Sequence, residues 1–244
     1  MIRHLKKWMP IMLALVSVTV VAETSVALDT VDLKYDAATL QRGATVFVNY
    51  CLGCHSMRSV RMAKLDKLEL TDEQIKNNLL LNGVGLGETM IIALTAEEAK
   101  NAFGAAPPDL SLIARAKSTA GYRGADWIYM FLRTFYQDNS RPLGWNNRVV
   151  EASAMPHVLY HLQGIKTIVT DEKTQKTTMQ TITAGEVTPL EYDETVRDLV
   201  SFLAYVSEPE KQARQWLGVF AFVFLLGLFV LTYAVKQEFW KNVH

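Results

Sequence analysis

Cys51-Leu52-Gly53-Cys54-His55 decides the reading of this chain. Two cysteines two residues apart, followed at once by histidine, are what covalent attachment of a c-type haem requires. Each thiol can add to one haem vinyl group, and the adjacent imidazole then meets the iron. Cys51 and Cys54 are also the only cysteines among the 244 residues. No disulfide competes for them, although an exported chain would normally use cysteine that way.

Export is written into the first residues. Arg3, Lys6 and Lys7 precede a mostly apolar run, Ile11 to Ala22, which ends Val20-Val21-Ala22 before Glu23. That is the pattern of a secretory signal, too short to cross a bilayer comfortably. At the other end Trp216 to Val235 carries no formal charge. A helix of that length rises about 30 Å, the thickness of the hydrocarbon layer. Trp216, Tyr233 and Trp240 stand where an interfacial aromatic belt belongs. The expected organisation is a signal at 1–22, an exported domain at 23–213, a transmembrane anchor at 214–236 and a cytoplasmic tail at 237–244. Lys211 and Arg214 before the anchor nearly balance Lys236 and Lys241 after it. Orientation therefore rests on the signal. The 25 basic and 25 acidic residues form no basic block, which excludes a nucleic-acid partner.

The exported part reads as mainly α, with long loops. Leu40, Ala44, Phe47, Val48 and Cys51 share one face of a helix over 36–50 that leads into the haem motif. Thr71 and Thr95 each begin a capping-box spacing, opening helices to Leu81 and Phe103. Gly83, Gly85 and Gly87 make a flexible loop between them, since no strand precedes them to build a phosphate cradle. Pro107-Pro108-Asp109 stops the chain and caps a helix to Lys117; Ala125 to Tyr136 is an aromatic-rich helix; 138–156 is a loop. Lys166 to Ile182 suggests a small β-hairpin, and Asp193 to Val206 an amphipathic helix stopped by Pro209.

Other uses of the cysteines fit less well. A thioredoxin-like dithiol would want a βαβ context, and these flanks are helical. Zinc could take Cys51, Cys54, His157 and His161, but about 100 residues separate the pairs, far more than in a compact finger. With His55 as proximal ligand, Met155 suits the sixth position: it sits in a loop before Pro156, ahead of the last amphipathic helix. Methionine there raises the reduction potential. His157 and His161 are the rivals. Arg115 is the candidate donor to a haem propionate, because guanidinium matches carboxylate.

Arg42-Gly43, Cys51 to Met57, Pro107-Pro108-Asp109-Leu110-Ser111, Arg115, Ala154-Met155-Pro156 and a C-terminal anchor occur in the order of the cytochrome c1 family. The chain resembles that family over nearly its whole length after the signal. His157 departs from the mitochondrial pattern, where a second proline follows Met-Pro. The resemblance implies a cytochrome c-like fold, haem c on Cys51 and Cys54, and axial ligands His55 and Met155. It also implies a propionate contact from Arg115. Its partners would be cytochrome b, a Rieske iron–sulfur protein that donates the electron, and a cytochrome c that accepts it. The simple signal implies a bacterial cytoplasmic membrane with the haem domain in the periplasm. Glu69, Asp72, Glu73, Glu97 and Glu98 are candidates for steering a basic cytochrome c. A free-standing tethered cytochrome and a haem protein with an open sixth position are the alternatives.

Overall fold

The computed structural model describes residues 27–80, 85–171 and 177–242. The expected signal, Leu81, Gly83 and the tip of the hairpin lie outside the described residues.

Helix α1, Ala37–Val46, starts where Asp36 accepts hydrogen bonds from the Thr39 amide (3.0 Å) and hydroxyl (2.8 Å). It runs into a wider π-helical turn, Phe47–Cys51, in which the Leu52 amide reaches back to the Phe47 carbonyl at 2.9 Å. The long helix α7, Pro189–Ser207, has a complete capping box: Thr188 N–H donates to Glu191 (2.8 Å), and Glu191 N–H donates to the Thr188 hydroxyl (3.3 Å). It begins four residues before the expected Asp193, because Pro189 takes the first helical position, where a missing N–H costs nothing.

α1 and α7 pack face to face. Leu40, Ala44 and Phe47 meet Val196, Leu199, Phe202 and Leu203 in one buried cluster, each large side chain contributing roughly 1.5–3 kcal/mol. Gly43 permits the close crossing: a Cβ there would lie 2.7 Å from Phe202 Cβ and closer still to the Asp198 carbonyl oxygen. Beside it, Arg42 Nε meets the buried Asp198 carboxylate at 2.6 Å.

The intervening chain wraps this pair. The helices α2, Asp72–Asn78, and α3, Ala96–Phe103, both carry the expected capping boxes. α4 is only Ile113–Ala116 and has no side-chain cap. Asp109 is spent elsewhere, accepting from Ser111 N–H (2.9 Å) and from Arg58 N–H across the loop (2.8 Å). α5 spans Gly124–Arg133, shorter than the expected 125–136. Phe135–Gln137 leaves the helix as β1 and pairs antiparallel with β2, Trp145–Asn147, so Phe135 faces Asn147 and Tyr136 faces Asn146. After the short helix α6, Tyr160–Gln163, the hairpin is present as β3, Gly164–Thr170, and β4, Thr177–Ala184.

The last helix, α8, spans Lys211–Trp240. Within Ala213–Trp240 an 18-residue window has a mean hydropathy of 2.4, and none of that window is buried within the chain. A helix apolar on all faces and covered by nothing fits a membrane span. The helix continues through Gln237–Trp240, so most of the expected tail extends it.

Candidate haem site

The chain bends sharply at Cys51. Its carbonyl accepts from both Cys54 N–H (3.0 Å) and His55 N–H (2.8 Å), which gathers the two thiols and the imidazole into one turn. All three line a cavity of about 280 Å³. Pro107 and Pro108, Trp127 and Phe131 of α5, Leu199 and Leu203 of α7, and the loop 150–156 with Met155 form the remaining walls. The lining is overwhelmingly apolar, as a porphyrin face requires.

His55 is held for ligation. Its Nδ1 lies 2.8 Å from the Pro108 carbonyl oxygen, which can only accept, so Nδ1 carries the proton and the Nε2 lone pair is left for a metal. Burial lowers the imidazole pKa against the opposing influence of Pro108 and Asp109, favouring the neutral form a ligand needs. The carbonyl is anchored in turn: Leu110 N–H donates to Ser56 O (2.9 Å) and Ser59 N–H to the Ser111 hydroxyl (3.0 Å). The Pro-Pro-Asp-Leu-Ser stretch is thus a clamp on the histidine rather than a helix cap.

Cys51 is buried, and burial, reinforced by Cys54, pushes its thiol up to about 12. Thiol exchange would want a lowered thiol. The four-residue zinc set is not assembled either. His157 stacks on Phe135 (5.0 Å, 6°) with the edge of Trp145 against it (5.2 Å). His161 packs on Tyr50 (5.3 Å), its Nε2 3.3 Å from the phenol oxygen. Neither histidine is among the residues lining the cavity, so both rivals to Met155 face elsewhere. The His157 ring is buried with no partner for Nε2, and burial pushes its pKa down to about 4.

Met155 is the methionine in the cavity wall. Met57 is fully buried and donates its N–H to the Met90 carbonyl (2.7 Å); Met62 is core, and Met130 sulfur lies 3.8 Å from Arg133. Two side chains that the sequence reading passed over hold the Met155 loop. Buried Asn147 accepts from Val149 N–H (2.8 Å) and Val150 N–H (3.2 Å) and donates to Phe131 O (2.7 Å). Buried Asn146 accepts from Ala152 N–H (2.9 Å) and donates to Asp138 (2.9 Å), which holds Ala152 at a left-handed φ of 59°.

Arg115 is placed differently from expectation. It is exposed and lines a separate cleft, whereas Lys117 lines the cavity, its Nζ 4.2 Å from the Trp127 ring centroid. Residues two apart on a helical turn do not share a face, so only one of the two can reach the site. Lys117 is the one Lys or Arg in the cavity lining. Two thiols, an imidazole with a free Nε2, a thioether and one cation in an apolar cavity fit a covalently attached haem with its propionates.

The model of the cytochrome C1 family matches residues 28–81 and 89–243. The ammonia monooxygenase gamma subunit of Nitrosomonas europaea is 42% identical over 211 residues, covering 86% of each chain. Cytochrome c1 of Allochromatium vinosum is 39% identical over 221 residues, 88% of each. The mitochondrial cytochrome c1 haem protein of Saccharomyces cerevisiae is 26% identical, covering 86% of this chain and 68% of its own.

Proposed function

Since this chain belongs to the cytochrome c1 family, whose members carry covalently bound haem c and transfer electrons in bc1-type complexes, we propose that it takes one electron from a Rieske iron–sulfur protein and delivers it to a cytochrome c. The haem supplies reversible one-electron chemistry at iron. Cys51 and Cys54 would fasten it as thioethers, and His55 Nε2 and Met155 sulfur would be the side chains that hold its iron. Iron held by both would leave no place for a substrate, so the residues' task is placement and potential. Lys117, in place of Arg115, balances propionate charge. The Pro107–Ser111 clamp fixes the imidazole, and Trp127 and Phe131 keep water from the site.

One observation carries this reading: Cys51, Cys54, His55 and Met155 line a single cavity, while His157 and His161 do not. The haem domain stands on the periplasmic face, tethered by α8. Glu69, Asp72, Glu73 and Glu97 are exposed and suit steering of a basic acceptor; the Glu98 carboxylate is taken by Thr95 N–H at 2.9 Å.

Gentle detergent extraction tests the proposal. The chain should co-purify with b-type haem and a Rieske signal, in a fraction that reduces cytochrome c with quinol in an inhibitor-sensitive way. Recovery as a lone haem protein, or ammonia-dependent oxygen uptake in place of quinol oxidation, contradicts it.

A further inference from the structure

A second cavity, of about 310 Å³, lies where α7 hands over to α8. Lys67, Arg115, Arg123 and Lys211 line it against one carboxylate, Glu208. We propose that this cleft binds the phosphate-bearing headgroup of an anionic membrane phospholipid.

Only part of this charge is consumed internally. Glu208 is already shared between Arg214 (2.6 Å) and Lys211 (3.5 Å). Arg123 is paired with Asp126 at 2.6 Å, but the Lys67 ammonium faces the rings of Tyr35 (5.7 Å) and Tyr205 (5.8 Å) and makes no ion pair among the described residues. Arg115 is exposed, and its side chain makes no hydrogen bond or ion pair among the described residues. Of the four cations in the lining, Arg115 and Lys67 are thus left without a carboxylate partner among the described residues. A phosphodiester answers that surplus, and a guanidinium fork matches two of its oxygens.

Position selects a lipid over a free anion. Lys211 and Gln215 in the lining belong to the first turns of α8, whose uncharged apolar run begins at Trp216. Trp216, 67% exposed, follows at once, an aromatic at the level of headgroups. The cleft therefore opens at the boundary between polar domain and hydrocarbon, and the uncovered side of α8 offers acyl chains a path. Unpaired lysine and arginine at headgroup level attract anionic headgroups electrostatically. The site is independent of the haem assignment.

The test uses delipidated full-length holoprotein in detergent, with native mass spectrometry reading bound lipid. Phosphatidylglycerol should bind more tightly than phosphatidylcholine of the same chains, and inorganic phosphate should not displace it. Arg115→Gln, at an exposed and unbonded side chain, should weaken phosphatidylglycerol about fivefold, and Arg115→Gln with Lys67→Gln further, with the haem spectrum unchanged. Equal retention of the two lipids, or wild-type affinity in the double variant, overturns the proposal. Displacement by inorganic phosphate makes the cleft a free-anion site and overturns it as well. So does an intact complex that excludes phosphatidylglycerol, since an acidic protein segment would then fill the cleft.

Discussion

Replacing Gly43 by alanine drives a methyl group into the crossing of α1 and α7. The added Cβ would stand 2.7 Å from Phe202 Cβ and nearer to the Asp198 carbonyl oxygen. Carbon atoms prefer about 3.5–4.0 Å, so the helices must part by roughly 1 Å. The obstacle is backbone and cannot rotate away. Overpacking of this kind costs about 1–3 kcal/mol, and two rigid helices place it at the upper end. Alanine's better helix propensity returns about 1 kcal/mol, leaving a net loss of roughly 2 kcal/mol. Parting the helices also loosens the Phe47–Phe202 contact at 5.9 Å and the Arg42–Asp198 pair at 2.6 Å. For a domain of this size the expected fall in Tm is about 4–8 °C. Thermal unfolding of the solubilised holoprotein, followed by far-ultraviolet dichroism and the Soret band, reads it. Gly87→Ala is the control, because nothing lies within 4 Å of its added methyl, and its stability should stay within about 0.5 kcal/mol of wild type. Gly43→Ala as stable as wild type would refute the close-crossing argument. Because α1 delivers Cys51 and α7 contributes Leu199 and Leu203 to the cavity, the Soret band should broaden in the same variant.

Three more outcomes follow from the site. Lys117→Gln removes a positive charge beside the haem, which favours the oxidised form; the midpoint potential should fall by about 40 mV, from an interaction of roughly 1 kcal/mol, while Arg115→Gln leaves it unchanged. A redox titration in which only Arg115→Gln moves the potential would reverse the assignment. Asn147→Ala strips two loop amides and the Phe131 carbonyl of their partner, so unfolding should cost about 2–3 kcal/mol less, and carbon monoxide should reach the reduced iron in a measurable fraction. Unchanged stability would show that the loop does not depend on this side chain. Glu98 and Glu191 are held below the ordinary carboxylate range by hydrogen bonds from Thr95 and Thr188. Folded values below unfolded ones mean stability is present above pH 4.5 and is lost as pH falls through the depressed values. Glu191→Gln should make that acid loss shallower in chemical unfolding measured from pH 6 down to 3, and an unaltered slope would count against it.

The long helices are legible because apolar residues are periodic along them: Leu40, Ala44 and Phe47 share one face, whereas the start of α7 lies four residues before the expected Asp193, since its first turn is exposed and only Thr188-Pro189 marks it. Local patterns failed where a distant strand or backbone group decides. α5 stops at Arg133 because Phe135 and Tyr136 pair with Asn147 and Asn146, a contact no helical periodicity reveals. Asp109 looks like a cap but answers amides at 58 and 111. Choosing between Arg115 and Lys117 needs the rotation of a four-residue helix. Asn146 and Asn147 read as an ordinary polar loop, and only the amides they satisfy explain why they are buried. The haem motif itself needs no fold to be recognised; the proposed second ligand does, because His157 and Met155 differ by two positions and only the folded loop puts Met155 in the cavity wall and His157 outside it.

The most direct test of the central claim is the near-infrared charge-transfer band of methionine sulfur on ferric haem. The band should be present in the wild-type protein, retained in His157→Phe and lost in Met155→Ala. A band that survives Met155→Ala, or rapid carbon monoxide binding by reduced wild-type protein, would contradict it.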